Sequence, residues 1–289
     1  MSYTCLNHGL LESRDLPEGA AREEKNPFLP KLHSATRKDD QTKNRELLST
    51  WYQATADYTL RSLTFQQDKL VAIAGMARIV GGFLKDEYSA GLFHRTLPSH
   101  CFGHHMKKKH SPISPTNLPS LLLTVLPPSY RAPSWSWASI ESPISNFLCR
   151  QALGRKTHTQ ILGITTTLRS LDPFGQVEAG SLKIRAPLQE VLCGEASSRW
   201  PYQPNLLPLN YLSFLEPSTF EEESKLGHAI FDLDLKEKGS RAFLLQITDV
   251  YGLILIPTTV GNRVVYSRIG VCHFASNVKL ENAASIEIV

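Results

Sequence analysis

The residues with the clearest capacity for chemistry lie in a histidine- and lysine-rich stretch at positions 94–110. Its metal-ligand types are His94, His100, Cys101, His104, His105 and His110. Imidazole and thiolate bind zinc, and His100 and His104 would share one face of a helix. However, the lysines at 107–109 would repel a cation, and Gly103 disfavours the helix. We therefore favour a solvated basic loop here and predict no metal ligand.

The same stretch could contact phosphate groups, because ammonium groups in series attract polyanions. The segment HHMKKKH at 104–110 is short, however, and contains no aromatic residue. The whole chain has 31 basic and 27 acidic residues, a net charge of +4. This surplus is too small to indicate nucleic acid or an anionic membrane. We therefore expect a charged loop and no nucleic-acid partner.

Two pairs of residues have the spacing of a possible site. Asp232 and Asp234 would share one face of a strand, as paired carboxylates can in acid–base catalysis. Apolar residues alternate with them in FDLDL, so we favour a half-buried strand with both carboxylates in solvent. Trp135 and Trp137 would project from one side of a strand, where two indoles can stack on a sugar or a base. We predict instead that both indoles are buried in the core of a β-domain.

The sequence has none of the common catalytic or nucleotide-binding motifs. GxGxxG, GxxxxGK[ST], GxSxG and HExxH are all missing, so we assign no catalytic, cofactor-binding or metal-binding residue and predict no cofactor. The five cysteines are odd in number and lack CxxC spacing, which is typical of thiols in a reducing cytosol. We find no secretory signal peptide and no apolar run near the ~18 residues of a membrane span. We therefore expect a cytoplasmic protein without a membrane partner.

The N-terminal part of the sequence predicts an irregular leader followed by a helix. Residues 1–43 are polar, contain three prolines and sustain no regular hydrophobic period. From Asn44 to about Arg61, apolar residues recur on one helical face, which predicts an amphipathic helix. These residues are Leu47, Leu48, Trp51, Ala54 and Tyr58.

A second helix follows closely. Thr64 stands three residues before Gln67, which is the spacing of a capping box. Apolar residues then recur at helical intervals until Gly81 and Gly82, where we expect the helix to end. The two helices predict an αα-hairpin within a helical region that spans residues 44–93.

The remaining sequence predicts a linker or loop at 94–130 and a β-rich domain at 131–289. Asp172-Pro173-Phe174-Gly175 has the composition of a type I turn and should join two strands. The candidate strands are 160–171, 181–187, 229–235, 242–248, 252–257, 263–274 and 285–289. We therefore predict an α+β fold, in which an N-terminal helical hairpin is followed by an antiparallel β-sandwich or barrel-like domain. Hydrophobic residues at 42% and charged residues at 20% agree with a globular protein.

One segment points to a family. YRAPSWSWAS at 130–139 resembles a phrase from the C-terminal region of fungal heterokaryon-incompatibility (HET) domain proteins. Other segments resemble the same region in the same order, although Phe93 stands where the family usually has tryptophan. They are LT at 63–64, DKL at 68–70, AIAG at 72–75, YSAGL at 88–92, DPFG at 172–175, GL at 252–253 and RIGV at 268–271. The resemblance covers roughly residues 51–289.

The resemblance implies a divergent or truncated family member. In HET proteins the HET domain itself lies upstream of the matched region and is linked to growth arrest or cell death when incompatible cells fuse. Only about 50 residues precede the match here, too few for that domain. The resemblance therefore implies that only the downstream region is kept, and it transfers no catalytic residue to this chain.

Three hypotheses on function follow from the sequence. The first is a non-enzymatic interaction or regulatory module that binds a protein partner in fungal incompatibility or stress signalling. The alternative is an accessory protein or enzyme of a fungal secondary-metabolite pathway, which would bind an apolar small molecule. The third is a decayed gene fragment with no function.

Overall fold

The computed structural model describes eleven stretches of the chain. They are residues 28–35, 39–61, 63–97, 103–105, 127, 129–141, 143–197, 211–215, 225–232, 240–274 and 280–289. The helices are α1 (Phe28–Ala35), α2 (Asp40–Thr59), α3 (Lys69–Leu84) and α4 (Phe147–Ala152). Short 3-10 turns occupy Gln66–Asp68, His94–Thr96 and Trp137–Ser139. No described helix combines the length and the apolar character that crossing a bilayer requires.

The first helix corrects the prediction of an irregular leader. Helix α1 buries Phe28, Leu32 and Ala35, which join the core that also contains α2. Pro30 does not prevent this helix, because a proline in the first turn loses no intrahelical hydrogen bond. Helix α2 then begins four residues before the predicted Asn44. Its start is set by Asp39, whose Oδ1 accepts a hydrogen bond from the Thr42 amide at 3.0 Å.

The second predicted helix exists, but both of its predicted ends are wrong. Gln67 lies in a 3-10 turn, and α3 begins at Lys69 without a capping side chain, so the capping box does not form. The helix continues through Gly81 and Gly82 and ends at Leu84. A Cβ atom on Gly81 would lie 3.2 Å from the Phe93 ring, so this glycine allows close packing and does not end the helix.

The C-terminal part is mostly antiparallel β-structure, which confirms the predicted α+β class. Its strands are β5 (Gln160–Leu168), β6 (Val177–Ser197), β7 (Tyr211–Leu215), β8 (Lys225–Phe231), β9 (Arg241–Gln246), β10 (Tyr251–Val260), β11 (Arg263–Phe274) and β12 (Ala283–Ile288). Two small pairs precede them: β1 (Tyr88–Ser89) with β2 (Leu92–Phe93), and β3 (His104–His105) with β4 (Ile144–Ser145). The predicted turn joins β5 to β6, since the Gly175 amide donates to the Asp172 carbonyl at 2.9 Å.

The strand pairings close into a ring. Of the two predicted arrangements, sandwich and barrel-like, this is the barrel-like one. Strand β6 pairs with β9, β9 with β10, and β10 with β11, all antiparallel. From β11, pairing returns to β6 through β12 and also through β8 and β7. β6 is the longest strand, with 21 residues, and it pairs with β5, β12, β9 and β7 along its length.

Alternate residues of the ring strands contribute to two hydrophobic cores. Leu255 belongs to the core that the strands share with the helices, whereas its neighbour Ile254 lies inside the ring. Both side chains are fully buried, so the sheet is covered on both faces here. The shared core also contains Trp51 and Phe93 from the helical region. The helices and the sheet are therefore packed around one common core.

Candidate interaction site at the helix–sheet junction

The two tryptophans of PSWSWAS are buried, as predicted, but they do not lie on a strand. Trp135 and Trp137 are 0% and 3% exposed, and Trp137 begins the 3-10 turn Trp137–Ser139. The turn forms because the Ser136 hydroxyl accepts a hydrogen bond from the Ala138 amide at 3.0 Å. The prediction that the indoles alternate along a strand is therefore wrong. The serine that suggested alternation is the local cap of a turn.

This turn is fastened to the β1–β2 hairpin. The Trp137 indole donates to the Gly91 carbonyl at 3.0 Å, and the Ser136 hydroxyl donates to the Ala90 carbonyl at 2.5 Å. Gly91 has φ of +98°, and a Cβ atom there would lie 2.6 Å from the indole nitrogen. Only glycine satisfies both the backbone conformation and the close approach of the indole.

Two buried cations hold the same turn from the other side. Arg131 donates to the carbonyls of Ala138 at 2.7 Å, Ile140 at 3.1 Å and Gln66 at 3.2 Å. Its guanidinium also forms an ion pair with Glu141 at 2.7 Å. These contacts use the rigid fork of donors that distinguishes arginine from lysine.

Lys69 is the second cation, at the first residue of α3. It is 4% exposed, and its Nζ donates to the Ile140 carbonyl and lies 5.6 Å from the centre of the Trp137 ring. Burial, followed by the nearby Arg131 charge, lowers the pKa of Lys69 to about 7, against a weaker opposing effect of Glu141. Tyr58 donates its hydroxyl to the Lys69 carbonyl at 2.8 Å, and burial raises the pKa of this tyrosine to about 12.

We call the set of Lys69, Arg131, Glu141 and residues 135–139 the junction. Three of the segments on which the HET resemblance depends meet there: 68–75 through Lys69, 88–92 through the Gly91 carbonyl, and 130–139 itself. Sequence analysis identified these segments separately but did not predict their contacts. The contacts explain the types of Lys69, Arg131 and Trp137 physically, since each of these side chains satisfies a backbone carbonyl.

An exposed pair of aromatic residues lies beside the junction. Phe65 is 69% exposed and Tyr130 is 49% exposed. Each directly precedes a residue of the Gln66–Arg131 contact, and Gln67 donates to the Ser129 hydroxyl. The two chain segments that carry the rings are therefore held side by side. We call Phe65 and Tyr130 the aromatic patch. Sequence analysis did not single it out, because exposure is not visible in the local pattern.

His94 is the one residue of the group considered as metal ligands in the sequence whose side-chain contacts the structure describes. Its Nε2 lies 2.8 Å from the Ser89 hydroxyl and its Nδ1 lies 3.2 Å from the Glu87 carboxylate. This is the order of groups in a nucleophilic triad. Ser89 is only 7% exposed, however, and Trp137 packs on Gly91, two residues further along the chain. The arrangement thus links the two ends of the hairpin, and we assign it no catalytic role.

The other candidates are not brought together into a site among the described residues. His104 and His105 form β3, opposite Ser145 and Ile144. His100, Cys101, His110, the lysines at 107–109 and Asp234 lie outside the described residues. No group of three potential metal ligands occurs within the described part of the chain. Three cysteines, Cys149, Cys193 and Cys272, are buried thiols, and burial raises the pKa of Cys272.

Asp232 corrects the prediction of a solvent-facing carboxylate. Strand β8 ends at Phe231, and Asp232 is 5% exposed. Its carboxylate accepts two hydrogen bonds from Arg268, at 2.8 and 3.0 Å, and the same guanidinium also donates to the Gly103 carbonyl. Burial acts to raise the pKa of Asp232, and the Arg268 charge opposes this effect. The pattern FDLDL failed because the strand alternation stops one residue before the acid.

Comparison with known proteins adds no relative: no protein-family model, no curated protein and no solved structure matches this chain.

Proposed function

We propose that this protein is a non-enzymatic interaction module, related to the downstream region of fungal HET proteins, that binds a protein partner in the cytoplasm through its aromatic patch. The single observation that carries the proposal is the exposure of Phe65 and Tyr130 on two segments held together by the buried junction. Aromatic residues on a rigid support are typical anchors of protein interfaces, since they bury much apolar area at little cost in conformational entropy.

The buried contacts beneath the aromatic patch hold its two chain segments in place, which favours a binding role for the exposed rings. Arg131 is 3% exposed and bonds Gln66, so the chain that carries Phe65 does not need to become ordered when a partner binds. Lys69 and Tyr58 fix the start of α3 in the same place. A partner that covers the two rings would therefore meet a preformed surface.

One cavity among the described residues, lined by residues 188–190 and 280–282, has a volume of about 180 Å³. Pockets for drug-sized ligands occupy ~300–1,000 Å³. The metabolite-binding alternative thus draws no support from this cavity, and the buried tryptophans are not available to stack on a ligand.

Site-specific crosslinking would test the proposal. p-Benzoylphenylalanine placed at position 65 or 130 should give a discrete protein adduct on irradiation in fungal cells. Val264 provides a matched control position, because it is 61% exposed and lies in β11, outside the aromatic patch. An adduct that forms equally well from position 264, or no adduct from 65 and 130, would contradict the proposal.

A second measurement identifies the contribution of the side chains. The variant Phe65→Ser with Tyr130→Ser should lose the partner that the crosslink identifies, whereas Val264→Ser should keep it. Both variants should unfold at the temperature of the wild-type protein, since all three side chains are exposed. Retention of the partner by the double variant would show that another surface carries the interaction.

A further inference from the structure

Two histidines lie directly opposite each other on neighbouring strands of the ring. His228 of β8 pairs with His273 of β11 in an antiparallel register. Their side chains therefore leave the sheet on the same face, and paired positions place Cβ atoms about 4.5–5.5 Å apart. Both residues are partly buried. The sequence gives no hint of the pair, because 45 positions separate its two members along the chain.

The His273 ring has a defined aromatic neighbour on the adjacent strand β10. The ring of His273 meets the ring of Tyr251 edge-on, with centroids 5.3 Å apart. Burial, and then the neighbouring His228 and Arg155, lower the pKa of His273.

Arg155, the cation that acts on His273, is itself paired with a carboxylate. Arg155 stacks over Tyr251 at 5.8 Å and forms an ion pair with Asp249 at 3.2 Å. A positive ion at the histidine pair therefore meets an arginine that already has a carboxylate partner.

We propose that His228 and His273 form a two-histidine binding site for a divalent transition-metal ion such as Zn²⁺, Ni²⁺ or Cu²⁺. Imidazole nitrogen is a preferred ligand of each of these ions. With two protein ligands, the remaining coordination positions are taken by water. The ion would link β8 to β11 and stabilise the ring, because a ligand that binds only the folded state raises the free energy of unfolding.

Calorimetric titration of the full chain with NiCl₂ tests the site. The wild-type protein should bind one more equivalent of Ni²⁺ than His228→Gln or His273→Gln, or bind it at least about tenfold more tightly. His158→Gln is the matched control, because His158 is exposed and lies outside the pair. Histidines of the 94–110 stretch contribute equally in all four proteins, so the difference isolates the pair. Identical isotherms for wild type and both pair variants would overturn the proposal.

A second test uses the wild-type protein, so its outcome does not depend on whether the histidine variants fold. Substoichiometric Cu²⁺ should broaden the imidazole proton resonances of His228 and His273 together, before those of His158. It should also raise the unfolding temperature of the wild type more than that of His228→Gln. Broadening that spares this pair while other histidines respond would contradict the proposal, whatever the stability of the variants.

Discussion

The interior of the strand ring and the junction are both closed to solvent, yet they are built from opposite kinds of residue. The ring interior contains apolar side chains such as Val191, Ile254 and Phe274, all at most 1% exposed. The junction instead buries Lys69 and Arg131 together with the backbone carbonyls that they and Trp137 bond. Both regions exclude water, but only the second depends on particular hydrogen-bond partners.

This difference determines how each region responds to substitution. An apolar core loses stability roughly in proportion to the volume removed, and a side chain of similar size restores most of it. A buried polar network loses much more when one partner is removed, because the groups left behind are desolvated and unpaired. The junction should therefore be the part of this protein that tolerates least change, even where side-chain volume is preserved.

The largest effect is expected for Arg131→Met, which keeps volume but removes the donors. The Ala138 carbonyl and the Glu141 carboxylate would lose their Arg131 partner, and the Ile140 carbonyl would keep only Lys69, so we expect the free energy of unfolding to fall by about 3–5 kcal/mol. Urea denaturation followed by fluorescence measures this change. The exposed Arg169→Met should alter it by less than about 0.5 kcal/mol. One hydrogen bond contributes about 1 kcal/mol to stability. If Arg131→Met lowers the free energy of unfolding by less than about this amount, the distinction between the two regions is contradicted.

The next effect concerns pH and Lys69. Its folded-state pKa of about 7 lies below the ordinary value of 10.5, so between these values the unfolded chain holds more protons than the folded one. The free energy of unfolding should therefore rise as pH increases from about 7, by on the order of a few kcal/mol before the tyrosines titrate. Lys69→Met should abolish this rise, which denaturation curves at several pH values would measure.

The matched control for that experiment is Lys183→Met, since Lys183 is exposed on β6. This variant should keep the pH dependence of the wild type. If Lys69→Met also keeps it, the rise comes from other groups and the amine of Lys69 is not the titrating centre.

A smaller effect is expected inside the ring. Phe274→Leu leaves an apolar side chain among apolar neighbours, so it should cost only about 1 kcal/mol. The same denaturation measurement applies, and the comparison with Arg131→Met is made under identical conditions. A cost equal to that of Arg131→Met would mean that the ring interior is as specific as the junction.

The smallest effect on stability is expected at the aromatic patch. Phe65→Ser should change the free energy of unfolding by less than about 0.5 kcal/mol, because the ring is 69% exposed. Thermal unfolding checks this expectation. A marked destabilisation would show that Phe65 supports the junction, and would weaken its assignment to partner binding.

Local patterns predicted the elements whose formation depends on local physics. Short runs between turn residues identified β10 and β11, and helical periodicity identified α2 and α3, because each element presents apolar side chains to a core. Prediction failed at Asp232 because a distant residue decides the outcome, since its partner Arg268 is 36 positions away. At 137–139 the alternating serines predicted a strand, but the Ser136 hydroxyl instead caps a 3-10 turn, and the Trp137 indole is held by Gly91 of another segment.

The candidate sites show the same limit. Sequence analysis considered the histidines at 94–110 because they are close along the chain, whereas the His228–His273 pair exists only through strand register. The aromatic patch likewise required two segments 65 positions apart to be joined by the Gln66–Arg131 contact. Neither feature has a periodic or motif-like signal from which it could have been found.

The amino-acid order by itself determined that α2, α3 and the main strands form and that both tryptophans of PSWSWAS are buried, because periodicity and hydrophobicity act over a few residues. Only the tertiary structure decided that Lys69, Arg131 and Glu141 meet, and which carbonyls they satisfy. The physical reason is that a buried charge is tolerated only beside specific partners, and these partners come from segments that meet on folding.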